Sequence, residues 1–322
     1  MPHATAPGGC HEPQAPCAPV RDRCRRSRRG RPAHEVDGAG RPSPLRRGEL
    51  VVVPSATGGD AFLAPGVHRP RPVRLLRVTT APAGTGSGPG TIGGVCTVVV
   101  RWTRGTPVRL LALRDELTSR EFDDPGRWWP EHPALVGGRD RLAGGTWCAT
   151  RVDTGVTALV LNRPQKPVAD PGAPSRGALP LLAAERGADW RSAVRLDGMA
   201  SFLLVLTAPD RMTTWDFDGE RLVTTEHPEG TWMVTSGGPE DRKADRFLPL
   251  FTDSAHPDGW RRLVQAGPPR DDPGALVVRH EQDGRVFATV FGALLEARPG
   301  RLCMEYSRRP WLDPWSPVVS WS

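Results

Sequence analysis

Lysine is almost absent from this 322-residue chain, which contains Lys166 and Lys243 and otherwise uses arginine for its basic side chains apart from histidine. The first 94 residues also lack aromatic side chains except for Phe62, whereas all 11 tryptophans follow them. This segment holds 14 prolines and 15 glycines, and such a composition cannot bury enough apolar surface to offset the entropy of the chain. We therefore expect residues 1–94 to be a disordered segment.

Two further absences restrict the class of protein. No apolar run reaches the length of a signal peptide or a membrane span, so we expect no stable insertion into a membrane. The cysteines Cys10, Cys17 and Cys24 lie seven residues apart and form no close pair of the kind that zinc sites use. We predict neither a metal site nor a cofactor.

The positive charge of the chain is confined to its first part. Residues 1–94 contain 14 arginines and 6 acidic residues, whereas the remainder contains 29 basic and 30 acidic residues. The net charge of +7 therefore belongs to the first segment, and overall basicity gives no reason to predict nucleic-acid binding by residues 95–322. The near-neutral charge of this second part predicts a soluble, cytoplasmic protein.

The abrupt change of composition at Val95 predicts a single domain over residues 95–322. Residues 1–94, rich in arginine, proline and glycine, are typical of translated upstream DNA in a GC-rich genome. Our hypothesis is that translation starts at Val95, read as methionine from a GTG codon, so that Cys96 becomes the N-terminal residue after trimming. A propeptide that is removed by self-cleavage before Cys96 is the alternative.

The second part reads as a series of short strands with two blocks of helix. Alternating or β-branched runs between turn residues predict strands, and apolar residues at helical spacing predict helices. Because the strands occur in runs, we predict an α+β fold with mostly antiparallel sheets. The predicted strands are 96–102, 108–114, 145–152, 156–162, 201–208, 211–217, 221–226, 231–235, 275–281, 285–291, 293–297 and 301–307; the predicted helices are 178–194, 241–251 and 258–266, and 121–133 is expected to be irregular.

Five short motifs follow one another in a fixed order. They are Cys96-Thr97, Ala112 to Glu116, Gly137 to Asp140 leading to Ala143 to Trp147, Leu161-Asn162-Arg163, and Ser175-Arg176-Gly177. The ordered set resembles the NRDE family, also called the transport and Golgi organisation 2 family, whose members begin Met-Cys. The resemblance is firm over residues 96–177 and diffuse over residues 201–322.

The resemblance implies a fold similar to N-terminal nucleophile hydrolases, with stacked antiparallel sheets flanked by helices in an αββα arrangement. Cys96 would be the nucleophile, and its own α-amino group would be the base, which requires Cys96 to be N-terminal. By the same resemblance, Arg114 would favour the thiolate or orient the substrate. Asp115 would hold the α-ammonium group or the arginine, and Asn162 could donate to an oxyanion.

Two departures from the family pattern bear on this mechanism. Leu113 stands where the family has its leading asparagine, and Thr235-Ser236-Gly237 stands where Leu-Ser-Asn is expected. Simpler interpretations of the same residues also remain open. An isolated cysteine in an apolar strand is usually a small core residue, which we expect for Cys148 and Cys303, and Arg114 with Asp115 could form a structural ion pair.

Two functions of different classes follow from the resemblance. The first is an N-terminal-cysteine amidohydrolase that cleaves the C–N bond of a small acyl amide, or a related thioester. The second is a non-catalytic carrier or binding protein for haem-like or lipid-derived ligands. In both cases the expected partner is a small molecule.

Overall fold

The computed structural model describes residues 96–238, 241–272 and 274–322. The predictions made for residues 1–95, including the disordered segment and the start at Val95, lie outside the described residues. The described part forms two seven-stranded antiparallel sheets. The predicted α+β class with antiparallel sheets is confirmed.

The strands fall into the two sheets without strict alternation along the chain. The first sheet has the order β10-β1-β2-β12-β13-β14, with β11 paired to β12, and the second has the order β3 to β9. In chain order the strands are β1 (Thr97–Trp102), β2 (Val108–Leu117), β3 (Phe122–Gly126), β4 (Leu135–Asp140), β5 (Cys148–Arg151), β6 (Val156–Asn162), β7 (Phe202–Ala208), β8 (Arg211–Phe217), β9 (Leu222–His227), β10 (Gly230–Thr235), β11 (Arg279–Gln282), β12 (Arg285–Arg298), β13 (Arg301–Ser307) and β14 (Val319–Trp321).

A buried apolar layer joins the two sheets. Alternate residues of β1, such as Val98 and Val100, lie in this layer, in one core cluster with Leu159 and Val205 of the second sheet. Cys148 lies in the same layer, as expected for a core cysteine. Cys303 is only partly buried.

Helices cover the outer face of each sheet. The helix α1 (Leu179–Arg186), followed by a 3-10 helix over Gly187–Ala193, packs on the second sheet, where Trp190 is fully buried. The helices α2 (Arg242–Asp253) and α3 (Asp258–Val264) pack on the first sheet through Phe251 and Trp260. The described residues therefore form four layers, with the two sheets between helices.

The irregular excursion predicted for residues 121–133 is wrong in its first part, because β3 forms there. The sequence of β3 contains Pro125, which the sheet tolerates because β3 is an edge strand. Its pairing with β4 is regular at Phe122 and Asp123 and shifts before Gly126. Ion pairs from Arg139 and Arg141 to the Asp123 carboxylate fix this edge.

Several other elements differ from their predicted bounds. The strands predicted at 285–291 and 293–297 are one strand, β12, with a shift of register between Thr289 and Phe291. The strand predicted at 275–281 is shorter, since regular pairing begins at Arg279. The helix predicted over 178–194 ends at Arg186, because Gly187 with a positive φ of 60° interrupts it.

Candidate functional site

Cys96 lies immediately before the central part of the first sheet. Its successor Thr97 pairs with Leu113 of β2 on one side and with Thr235 of β10 on the other. The Asp115 backbone N–H donates to Cys96 Sγ across 3.4 Å, and the Ser236 N–H donates to the Cys96 carbonyl across 3.2 Å. The first residue of the candidate site is thus held by main-chain contacts from both neighbouring strands.

A cleft of about 300 Å³ opens at Cys96 between the ends of the two sheets. All four predicted site residues, Cys96, Arg114, Asp115 and Asn162, line it. The other lining residues come from the ends of β2, β4 and β6 and from the loops around them: Glu116, Arg120, Asp140, Ala143, Gly145, Thr146, Trp147, Val160, Ser175, Arg176 and Gly177.

Arg114 is a buried cation held against aromatic rings. Its guanidinium carbon lies 4.5 Å from the centre of the Trp147 ring, and its Nη2 lies 3.3 Å from Glu116 and 3.5 Å from Asp140. Burial lowers the pKa of Arg114, and the charge of Glu116 opposes this effect. Its other terminal nitrogen, Nη1, is buried and has no hydrogen-bond partner among the described residues.

The side chain of Asp115 faces the other side of the sheet from Arg114. Its Oδ1 accepts a hydrogen bond of 2.6 Å from Thr289, the residue opposite it on β12. The structural ion pair between Arg114 and Asp115 is therefore not formed, because consecutive residues of a strand point to opposite faces. Burial raises the pKa of Asp115 to about 6, although the charges of Lys243 and His280 lower it.

Burial also raises the pKa of the Cys96 thiol to about 12. The negative charge of Asp115 adds to this effect, whereas the Asp115 N–H and the positive charge of Arg114 oppose it. In the full chain, where residue 95 precedes Cys96, the thiol is therefore protonated at neutral pH. A nucleophilic role needs a base that this environment does not otherwise supply.

Asn162 and Arg163, which follow one another at the end of β6, occupy different environments. Asn162 is exposed and lines the cleft. Arg163 is buried, donates to both carboxylate oxygens of Asp216 across 3.1 Å, and donates to the Ser236 carbonyl across 2.8 Å. Arg163 thus connects the second sheet to the segment beside Cys96.

Sequence reasoning did not single out four charged residues that line the cleft: Glu116, Arg120, Asp140 and Arg176. Arg120 donates to the Asp140 carboxylate across 2.6 Å. Arg176 donates to the Ser201 carbonyl across 2.9 Å, and burial lowers its pKa to about 10. The one signal that could have identified three of these residues is their place within the five motifs: Glu116, Asp140 and Arg176.

The glycines of two motifs bring the walls of the cleft together. The Thr146 N–H donates to the Gly177 carbonyl across 2.9 Å. A Cβ atom on Gly145 would lie 2.5 Å from the Gly177 carbonyl oxygen, closer than any side chain can approach. A glycine is therefore required at residue 145.

Lys243 lies behind the site, on the face of the first sheet that α2 covers. It is fully buried, and its Nζ donates to Thr97 Oγ1 across 3.3 Å. Burial lowers the pKa of Lys243, while the charges of Asp115 and Asp241 raise it. Apart from the rarity of lysine, no feature of the sequence indicated that Lys243 would lie here.

Within the described residues, no group of three or more His, Cys, Asp or Glu side chains is arranged to hold a metal ion. Over the same residues, no helix is both long and apolar enough to cross a membrane.

The comparison with known families identifies the part of the chain that contains the cleft. Residues 95–206 match the family described as Transport and Golgi organisation 2. This range, about a third of the chain, is similar to that family. The Transport and Golgi organisation 2 family is the NRDE family, so the predicted resemblance is confirmed. The matched range contains all five motifs, and no curated protein matches the chain.

Proposed function

We propose that the functional form of this protein begins at Cys96 and is an N-terminal-cysteine amidohydrolase. It would cleave the C–N bond of a small acyl amide, or a related thioester. The observation that carries the proposal is the position of Cys96, which immediately precedes the first strand and lines a polar cleft together with Arg114 and Asn162.

The four-layer arrangement supports a likeness to N-terminal nucleophile hydrolases. Two stacked antiparallel sheets lie between helices, and the first strand presents the cysteine. The proposal includes a mature domain over residues 96–322 that is produced either by a start at Val95 or by removal of the preceding segment. It also places the protein in the cytoplasm, on the basis of the near-neutral charge of that domain.

The proposed reaction begins with the proton of the Cys96 thiol. A free α-amino group, with an ordinary pKa near 8, accepts this proton. The thiolate sulfur then forms a bond to the carbonyl carbon, and the electron pair of the C=O bond moves to the oxygen. When the C–N bond breaks, the leaving nitrogen takes a proton from the α-ammonium group, and a thioester remains on Cys96.

Water completes the cycle. The α-amino group accepts a proton from the water molecule as its oxygen attacks the thioester carbonyl carbon. The S–C bond then breaks, the thiol regains its proton and the acid leaves. In this scheme Arg114 stabilises negative charge on the sulfur or orients the substrate, and Asp115 supports the N-terminal residue through its backbone N–H.

Asn162 is the side chain that we assign to the oxyanion, since its exposed amide at the end of β6 lines the cleft. The second asparagine of the family is replaced by Gly237, and the neighbouring Ser236 Oγ is buried without a partner among the described residues. Because this protein has one oxyanion donor fewer, we expect its turnover to be slower than that of an enzyme with both asparagines. The loss of one such donor typically reduces kcat about 100-fold.

The alternative function, a carrier for haem-like or lipid-derived ligands, has less support from the cleft. Sites for apolar ligands are lined mainly by apolar side chains, whereas three arginines and three acidic residues line this one, with Trp147 and Val160 as its larger apolar groups. Its volume of about 300 Å³ lies at the lower end for ligand sites. A small polar substrate fits these properties better.

The test is hydrolysis by a chain that starts at Cys96. We expect this chain to release nitroaniline from short acyl 4-nitroanilides, and we expect Cys96→Ala to reduce the rate to background while the far-ultraviolet circular dichroism stays unchanged. The matched control has one alanine added before Cys96, so that the thiol is kept but the α-amino group of Cys96 becomes part of a peptide bond. Equal rates for the chain that starts at Cys96 and for its Cys96→Ala variant would contradict the proposal.

A further inference from the structure

The charged side chains that line the cleft do not balance. Three guanidinium groups, those of Arg114, Arg120 and Arg176, accompany two carboxylates, those of Glu116 and Asp140. The Asp115 carboxylate is not counted, because it faces the opposite side of the sheet, where it accepts from Thr289 and the charge of Lys243 offsets its own. The thiol of Cys96 is neutral at physiological pH. The cleft therefore has an excess of one positive charge.

The excess charge can be assigned to particular groups. Arg120 pairs closely with Asp140, and Arg114 contacts both carboxylates through Nη2. Among the described residues Arg176 forms no ion pair, and its guanidinium donates to the Ser201 carbonyl. The excess positive charge of the cleft is therefore assigned to the guanidinium of Arg176.

A second observation also points to a missing anion. Arg114 is 5% exposed, and its Nη1 has no hydrogen-bond partner among the described residues. A buried nitrogen–hydrogen donor without a partner is costly, by about 1–3 kcal/mol. Burial also disfavours the charged form of Arg176. An anion in the cleft that accepts from both guanidinium groups would relieve both costs.

We propose that Arg114 and Arg176 form a subsite for a carboxylate group of the ligand, beside Cys96. A guanidinium is planar and matches a carboxylate through paired N–H donors. Both arginines interact electrostatically with the Cys96 sulfur, so the carboxylate would lie close to the reacting bond. This inference rests on the proposed function, since it names the substrate class as a small acyl amide that carries a carboxylate, such as an N-acyl amino acid.

The test measures binding separately from turnover. The full chain with Cys96→Ala, which has no nucleophile at this position, is titrated calorimetrically with hexanoylglycine and with hexanoylglycinamide, which differ in the charge of one group. We expect the acid to bind about tenfold more tightly than the amide, as expected for one charge-assisted hydrogen-bonded pair. Equal affinity for the two compounds, or no binding of the acid, would overturn the proposal. This result does not depend on a variant of either arginine.

Variants at Arg176 locate the effect. In Arg176→Gln, which keeps a donor for the Ser201 carbonyl, we expect the preference for the acid to fall to about twofold or less, while Arg176→Lys keeps more of it because it keeps the charge. The matched control is Arg195→Gln, which removes one positive charge from an arginine side chain that is 88% exposed and pairs with Asp197. A preference that persists in a folded Arg176→Gln protein would contradict the assignment to Arg176.

Two further measurements separate the proposals. If inorganic phosphate competes with hexanoylglycine more strongly than acetate does, the subsite is one for phosphate and the carboxylate class is wrong. If the chain that starts at Cys96 hydrolyses the acid and the amide with equal kcat/KM, the subsite fails while the amidohydrolase stands. If the full chain distinguishes acid from amide but no amide is ever hydrolysed, the amidohydrolase fails while the subsite stands.

Discussion

Asp115 contacts Cys96 with its main chain and faces away from it with its side chain. Its N–H donates to Cys96 Sγ across 3.4 Å, while its carboxylate accepts from Thr289. Lys243 of α2 lies on the side of the carboxylate and reaches Thr97, the residue after Cys96. The cysteine therefore lies between a polar cleft on one face of the sheet and a buried charged group on the other.

The buried carboxyl of Asp115 should make stability fall as the pH rises from about 4 to about 6. Burial raises its pKa from 3.8 to about 6, so in this range the folded protein holds a proton that the unfolded chain has lost. The unfolding free energy then decreases with pH, by up to about 3 kcal/mol. We expect Asp115→Asn to abolish this slope and to be more stable than the parent at pH 7.

Urea denaturation of both proteins between pH 4 and pH 7 measures this difference. Asp123→Asn provides a control of opposite sign, because hydrogen bonds from Arg141 and Arg139 lower the pKa of Asp123. That substitution should reduce stability at neutral pH rather than increase it. Parallel pH profiles for the parent and Asp115→Asn would show that Asp115 titrates at its ordinary pKa.

The reactivity of Cys96 should depend on what precedes it. In the full chain its thiol has a pKa of about 12, so alkylation by iodoacetamide at pH 7.5 should be slow. A free α-amino group would accept the thiol proton, so we expect alkylation at least tenfold faster in a chain that starts at Cys96. Mass spectrometry of the alkylated peptides gives both rates.

Cys148 is the internal control for this experiment. Burial between the sheets raises its pKa to about 12 as well, and Cys148 carries no α-amino group in either chain. It should remain unmodified in both. A rate at Cys96 that is the same in the two chains would mean that the amine does not act on the thiol.

Local sequence predicted the hairpin of β1 and β2 because its signals are local. Short apolar, β-favouring runs define both strands, and Gly105, with a positive φ of 80°, lies in the turn between them. The strand β4 has no such signal, since it contains Gly137 and Gly138. A Cβ atom on Gly137 would clash with the backbone of Cys148 on the neighbouring strand. Close packing between strands, rather than strand propensity, therefore explains a glycine here.

The same distinction separates the predicted site residues from the missed ones. Cys96, Arg114, Asp115 and Asn162 came from the family motifs, and all four line one cleft. Arg176 and Lys243 meet this region from distant parts of the chain. The pairing of β1 with β10 and the packing of α2 decide which distant residues lie near Cys96. Neither the pairing nor the packing can be predicted from a short stretch of sequence.

Gly145 should be intolerant of a side chain. Because its Cβ would lie 2.5 Å from the Gly177 carbonyl oxygen, Gly145→Ala must separate two backbone segments that form the wall of the cleft. We expect a loss of about 3 kcal/mol, as for overpacked interiors. Gly144→Ala is the matched control: its φ is 72° and nothing lies near its Cβ, so it should cost only about 1 kcal/mol. Similar losses in the two variants would refute the close-approach explanation.

The ion pair of Arg163 and Asp216 should be more sensitive to loss of the acid than to loss of the base. Arg163 is buried, whereas Asp216 is about one-third exposed. Asp216→Ala leaves a buried guanidinium whose one remaining acceptor among the described residues is the Ser236 carbonyl, which we expect to cost about 3 kcal/mol. Arg163→Met removes the buried charge itself and leaves a carboxylate that water can reach, so its cost should be smaller. Urea denaturation of the two variants measures the order. The reverse order would mean that the hydrogen bond from Arg163 to Ser236, beside Cys96, stabilises the fold more than the ion pair does.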